Sequence, residues 1–240
     1  MYKRIVLKLS GETLAPEKIP ADKGASLTFD AARVDRAAAA IVRLHDLGVQ
    51  VGVVMGGGNI WRGRFTDAMN PVQADQMGML ATIINALAVQ DAILRLGRKA
   101  TVFTPQEMTR FAEHYRADRA VKCLEDGEIV LLAGGSGNPF FTTDTAAVLR
   151  AAELGADAVF KGTTAEGVYD SDPRKNPNAK FIREATYQQV IDMNLKIMDP
   201  TAFMLCREQK VPEIRIFKMD CLENILKVAD GEAIGSVVRA

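Results

Sequence analysis

The sequence predicts an α/β protein built on a largely parallel sheet. Three observations carry this: short β-branched apolar runs recur along the chain, longer segments of helical pattern separate them, and glycine, proline or polar residues close each run. A length of 240 residues suits one such sheet with its covering helices. With 48% hydrophobic and 25% charged residues, the composition excludes disordered, collagen-like and fibrous classes.

The first strand is read at Arg4 to Leu9. Phe29-Asp30 opens a helix that runs through an alanine-rich segment to Leu47, and Gly48 closes it where a left-handed residue is favoured. The second strand, Val49 to Met55, completes a βαβ unit. Met77 to Leu96 is apolar almost all round and ends at Gly97, which predicts an interior helix in the core or at a subunit contact. Strands follow at Ala100 to Thr104 and Ile129 to Ala133, a helix at Thr145 to Leu154, and strands at Ala156 to Lys161 and Ile214 to Met219. Ile234 to Val238 is a further candidate. Ala15 to Thr28 and Thr164 to Lys180 read as polar loops or flaps.

Thirty Lys plus Arg balance thirty Asp plus Glu. A dedicated nucleic-acid binder would need a basic excess, so no nucleic-acid partner is expected. The longest uncharged segments, Gln76 to Gln90 and Ile129 to Thr143, fall short of the roughly 18 apolar residues of a membrane span. Lys8 interrupts the first apolar run, so the start does not read as a secretory signal. Cys123, Cys206 and Cys221 lack metal spacing and match buried thiols of a reducing compartment. A cytoplasmic, membrane-free protein is the expectation.

The strongest local signal is Val51-Gly-Val-Val-Met-Gly-Gly-Gly-Asn-Ile-Trp-Arg-Gly63, a strand running into three glycines. Without side chains, Gly56, Gly57 and Gly58 let backbone N–H groups approach an anion, and Arg62 adds a guanidinium. Alone, such a cluster reads more simply as a tight strand-end turn. A second loop, Ala133-Gly-Gly-Ser-Gly-Asn-Pro-Phe-Phe-Thr-Thr-Asp144, leads into the helix at Thr145. Amides, hydroxyls and the positive helix end converge there, suiting a second phosphate. Thr143 or Asp144 also reads as a plain N-cap.

Lys8 and Lys161 occupy equivalent strand ends. In a doubly wound sheet the carboxyl ends of the strands form the ligand crevice, so Lys8, the triple glycine, Ser136 to Thr143 and Lys161 are expected along one edge. A P-loop GxxxxGK[ST] is absent, as is a GxGxxG with its trailing acid. The two histidines, His45 and His114, are read as helix-surface residues and complete no Ser-His-Asp set. Phosphoryl transfer between phosphates fits better: a phosphate acceptor is already anionic and needs alignment and charge neutralisation rather than a base.

At these residues the chain resembles the bacterial uridylate (UMP) kinases of the amino acid kinase superfamily. The blocks are Lys8-Leu-Ser-Gly-Glu12, Gly56-Gly-Gly-Asn-Ile-Trp-Arg62, Asp75-Gln-Met-Gly-Met-Leu-Ala-Thr82, Gly137-Asn-Pro-Phe-Phe-Thr-Thr-Asp144, Lys161-Gly-Thr163 with Gly167-Val-Tyr-Asp-Ser-Asp-Pro173, and Lys196-Ile-Met-Asp199. They span nearly the whole length, so residues 1–240 are expected to form a single amino acid kinase domain.

The resemblance implies a three-layer αβα sandwich, the reaction ATP + UMP = ADP + UDP, and homohexameric assembly. Lys8, Leu9, Ser10, Gly11, Gly58 and Arg62 would meet the ATP phosphates, while Thr163, Tyr169 and Asp172 would hold the adenosine. Gly57, Asp75 and the loop Ser136, Gly137, Asn138, Pro139, Phe140, Phe141, Thr142 and Thr143 would hold UMP, with Asp75 on the ribose hydroxyls. Lys8, Asp144, Lys161 and Asp199 form the implied catalytic set. Mg²⁺ is expected through the ATP phosphates rather than on ligands of the chain. UTP inhibition is a family expectation. Pro16 to Thr28 is longer and less glycine-rich than the loop linked to GTP activation in many relatives, and Pro71 stands where a basic residue is expected. Two other readings stay open at this point: the same fold with a carboxylate or carbamate acceptor, and a nucleotide sensor without turnover.

Overall fold

Described here, from a computed structural model, are residues 2–16, 29–61, 69–173, 175–195, 197–219 and 222–240. In chain order the first elements are β1 (Arg4–Leu9), α1 (Ala31–Asp46), β2 (Gln50–Met55), α2 (Pro71–Arg95), β3 (Ala100–Thr104), β4 (Glu113–His114), α3 (Ala117–Glu125), β5 (Ile129–Leu132) and α4 (Thr143–Leu154). Then come β6 (Ala158–Thr163), β7 (Val168–Tyr169), β8 (Phe181–Ile182), β9 (Glu184–Thr186), α5 (Tyr187–Asp192), α6 (Pro200–Glu208), β10 (Glu213–Lys218), α7 (Glu223–Ala229) and β11 (Ser236–Arg239).

Nine strands form one sheet in the order β4-β3-β5-β2-β1-β6-β10-β11-β9. Only the β10–β11 pair is antiparallel. Successive side chains of a strand point to opposite faces, and the core divides accordingly. Ile5, Leu7 and Leu9 of β1 and Ala158 and Phe160 of β6 pack with α1, α2 and α7. Val6 and Val159 pack on the other face with α3, α4, α5 and α6. This is the expected three-layer αβα arrangement. It also fixes the direction of Lys8 and Lys161, each two residues beyond a valine of the second face.

On one side of β1 lie β2, β5, β3 and β4, and on the other β6, β10, β11 and β9. Strand order therefore reverses there, which makes the carboxyl ends of β1 and β6 the crevice of the fold.

Several sequence expectations shift. β6 starts at Ala158 rather than Ala156, because Gly155 ends α4 in the left-handed region (φ 62) and the Asp157 carboxylate accepts the N–H groups of Lys3 (2.6 Å) and Arg4 (2.9 Å). α2 begins at Pro71, not Met77. The Asn70 side chain accepts from Val72 N–H, and proline suits the first helical position, where no N–H is needed. α2 is also not buried all round: Ala81, Ile83, Ala86, Val89 and Ile93 face the core, while Met77, Leu80, Ile84 and Leu94 are exposed. By length and composition alone it is apolar enough to cross a membrane, which the shorter uncharged run concealed. Its packing against α1 and β3 makes it a core helix.

His114 stands on edge strand β4, not on a helix, whereas His45 is on α1 as expected. Thr164 to Lys180 contains β7, which pairs with β8, so it is partly a ribbon rather than a loop. Cys123 and Cys206 are buried and free. Cys221 and residues 17–28 of the expected flap lie outside the described residues.

Candidate phosphoryl-transfer site

Lys8 and Lys161 are paired in register across β1 and β6. Both ammonium groups reach Asp144 from the first turn of α4: Lys8 Nζ stands 3.3 Å from Oδ1 and Lys161 Nζ 2.5 Å from Oδ2. All three side chains are largely buried. Burial pushes the Asp144 carboxyl up, but the charges of Lys8 and Lys161 outweigh it and hold it below the usual aspartate value. Burial, opposed by Asp144 and reinforced by the like charge of Lys8, lowers Lys161 below the usual lysine value. Two cations face the Asp144 carboxylate while the Asp199 charge also acts on Lys161, so Lys8 is the less neutralised cation, suited to an anion that gains charge during reaction.

The N-cap of α4 is Thr142, rather than Thr143 or Asp144. Its Oγ1 accepts from the N–H groups of Asp144 (3.1 Å) and Thr145 (3.4 Å) and donates to Asp199 Oδ2. Thr145 Oγ1 also donates to Asp199, at 2.9 and 2.7 Å, and Asp199 accepts from Ala202 N–H as the N-cap of α6. Asp199 thus links two helix starts. Lys161 also donates to Ile197 O, which ties that segment to the lysine pair.

The two glycine loops stand beside this group. Gly56 N–H donates to Leu9 O at 2.8 Å, so the triple glycine packs on the Leu9-Ser10-Gly11 turn. Leu9 turns its side chain into the core and offers only backbone. A Cβ on Gly57 would lie 2.8 Å from Gly78 O, so only glycine lets this loop rest on α2. Gly134 has φ 74 and a Cβ there would meet Gln106 Oε1 at 2.5 Å. Farther along, Ser136 Oγ bonds the backbone of Asn138, Gly137 rests on Pro105, and Pro139 leads to exposed Phe140 and Phe141. Asp75 Oδ2 accepts Phe140 N–H at 2.7 Å, with Phe140 at φ 72.

Lys8, Asp144, Lys161, Asp199, Thr142, both glycine loops and Asp75 are therefore brought together. Thr163 lies two residues beyond Lys161 and in register with Lys218. Tyr169 and Asp172 lie apart, on the β7–β8 ribbon and the turn after β7, where the Tyr169 ring meets Phe181 edge-on at 5.3 Å. Arg62 and Lys196 lie outside the described residues. Among the described residues no three His, Cys, Asp or Glu side chains gather as a metal site. Asp144 and Asp199 already serve lysines and hydroxyls.

Sequence reasoning missed Thr82 and Asn85 of α2. Thr82 Oγ1 accepts from Gly134 N–H, and Asn85 Nδ2 donates to Gly56 O. The available signal was two polar residues in an otherwise apolar helical stretch.

Residues 3–218 match the amino acid kinase family. The chain belongs to that family. Within it, the chain is similar to the uridylate kinase of Bacteroides thetaiotaomicron, 46% identical over 239 residues covering 99% of this chain and 98% of the relative. It is similar to that of Methylococcus capsulatus, also 46% identical, over 240 residues covering 99% and 97%. The UMP kinase structure from Bacillus anthracis superposes with a TM-score of 0.91 at 35% identity, covering 99% of this chain and 96% of that one. The UMP kinase structure from Ureaplasma parvum gives 0.91 at 33%, covering 100% of each.

Proposed function

We propose that the chain transfers the γ-phosphoryl group of ATP to UMP, giving ADP and UDP. The observation that carries this is the Lys8–Asp144–Lys161 group seated between two backbone loops at the strand-order reversal. Supporting it are full-length relatives named uridylate kinase. An oxygen of the UMP phosphate attacks the γ-phosphorus, and the bond to the β–γ bridging oxygen breaks, its electron pair leaving with ADP. The acceptor's second ionisation lies at about 6, so near neutrality no base is needed. Lys8 balances charge on the moving group, Lys161 supports it, and Asp144 keeps the two ammonium groups together against their repulsion.

In this reading Leu9, Ser10, Gly11, Gly58 and Arg62 contact the ATP phosphates, and Thr163, Tyr169 and Asp172 the adenosine. Gly57, Asp75 and Ser136 to Thr143 receive UMP, while Asp199 shapes that loop through Thr142 and Thr145. When present, Mg²⁺ would be held by the ATP phosphates rather than by side chains of the chain and would supply charge neutralisation there. Residues 1–240 act as one domain, in the cytoplasm, as a homohexamer inhibited by UTP; sedimentation and UTP titration test the last two. An ADP-release assay across UMP, CMP, dTMP and AMP tests the activity. A preference for UMP is expected, and its absence overturns the proposal.

A further inference from the structure

Thr82 and Asn85 are buried in α2 among Ala81, Ile83 and Ala86, with Thr82 3% exposed and Asn85 0%. A buried polar group in such surroundings is costly unless hydrogen-bonded. Both are bonded, and to different glycine loops. Thr82 Oγ1 donates to Met79 O at 2.7 Å and accepts from Gly134 N–H at 2.7 Å. Asn85 Nδ2 donates to Gly56 O at 2.6 Å and to Asn59 Oδ1 at 2.8 Å, while Asn85 Oδ1 accepts from Asn59 Nδ2 at 3.1 Å.

Residues three apart share a helix face, and Asp75, two turns before Thr82, lies on that face too. There it holds Phe140 N–H. One long helix therefore grips the triple-glycine turn at Gly56 and the second loop at Gly134 and Phe140. Gly57, which has room only for a hydrogen against Gly78 O, Ala81 and Thr82, is the point of closest approach.

We propose that Thr82 and Asn85 are positioning residues that fix the separation of the two phosphate loops, so that α2 sets the distance from donor to acceptor phosphate. Neither touches a nucleotide. Each acts through a backbone group of a loop, and in-line transfer is sensitive to misplacement of either phosphate. The inference rests on the proposed function, in which the second loop receives the acceptor and the triple-glycine turn meets both nucleotides, UMP at Gly57 and ATP at Gly58. Thr82 governs the acceptor loop, whereas Asn85 governs the turn next to Lys8's strand.

The test varies ATP and UMP independently for wild type, Thr82→Val, Thr82→Ser and Asn85→Asp. Loss of the Thr82 hydroxyl is expected to raise the KM for UMP about tenfold while the KM for ATP stays within about twofold. Thr82→Ser keeps the hydroxyl and restores the wild-type KM. Asn85→Asp turns a carboxylate oxygen toward Gly56 O and lowers kcat about tenfold. Should Thr82→Val not fold, Thr82→Cys, a weaker hydrogen-bonding group of similar size, reads the same ratio with a smaller rise. Three results overturn the proposal: an unchanged KM for UMP, both KM values rising together, or no restoration by serine. A wild type that turns over other acceptors but not UMP overturns the functional reading instead.

Discussion

Lys8 and Lys161 are direct neighbours across the parallel β1–β6 ladder, and the carboxylate of Asp144 joins their ammonium groups at 3.3 and 2.5 Å. The arrangement is unequal. Lys161 also donates to Ile197 O and is the more buried, while Lys8 stands farther from the carboxylate. Lys161 is therefore the closer structural partner of Asp144, and in the proposed reaction Lys8 is the cation available to an incoming phosphate.

Replacing the two lysines should separate these roles. Lys8→Ala leaves the Asp144–Lys161 pair balanced, so the melting temperature changes little while kcat falls by a factor on the order of 100 or more. Lys161→Ala strips the closer cation from a buried carboxylate and frees Ile197 O, so it costs stability as well, about 3 kcal/mol. Thermal denaturation beside steady-state kinetics reads both. Full turnover by Lys8→Ala would remove Lys8 from the chemistry.

The depressed Asp144 value predicts a pH dependence of stability. Its folded-state pKa lies below the ordinary 3.8, so the unfolded chain binds the proton first as pH falls. The stabilisation is thus fully present above that value and is lost as pH drops through the lower folded value. Asp144→Asn should be less stable than wild type at pH 7, and the gap should narrow only in strong acid. Denaturant titrations across that range measure it. A gap that closes between pH 5 and 7 would contradict the assignment.

How much of this was legible in the sequence depended on burial. β2, β3 and β5 lie inside a parallel sheet and read as mostly apolar runs, β1 does so but for Lys8, and α1 shows its buried Val34, Ala37, Ala38, Ile41 and Leu44 at helical spacing. The edge pieces β4, β7, β8 and β9 span only two or three residues and carry no periodicity. α5 and α6 did leave signals: Thr186 with Gln189 forms a capping box, and Asp199-Pro200 is an N-cap followed by proline. That Lys8 and Lys161 stand near the carboxyl ends of their strands was readable, although β6 runs two residues past Lys161 to Thr163. Their register was not, because which strand neighbours β1 is settled by the fold as a whole. The same holds for Thr82 and Asn85, whose partners are backbone groups of loops distant in sequence.

Gly57 gives a steric prediction. An added methyl would meet Gly78 O at 2.8 Å, Ala81 Cβ at 3.0 Å and Thr82 N at 3.2 Å, two of them backbone atoms of a packed helix that cannot yield. Gly57→Ala should therefore push the triple-glycine turn off α2, costing about 1–3 kcal/mol of stability and much of kcat/KM. Gly97→Asn is the control. Gly97 has φ 75 in open space, and asparagine tolerates that backbone, so activity should persist. Equal activity in both variants would show that the turn is not wedged against the helix.

Phe140 separates fold from function at the acceptor loop. It holds a left-handed backbone at φ 72, a conformation costing a non-glycine residue roughly 1–2 kcal/mol, and the residue is 73% exposed, so little packing offsets that cost. Neither the backbone nor packing explains a phenylalanine here, which suits the proposed role of the loop in receiving the acceptor. Phe140→Gly relieves the strain and keeps the N–H that Asp75 accepts. The melting temperature should hold or rise while the KM for UMP increases by about two- to tenfold, the range of one aromatic contact. A lowered melting temperature with an unchanged KM would instead make the ring a structural element.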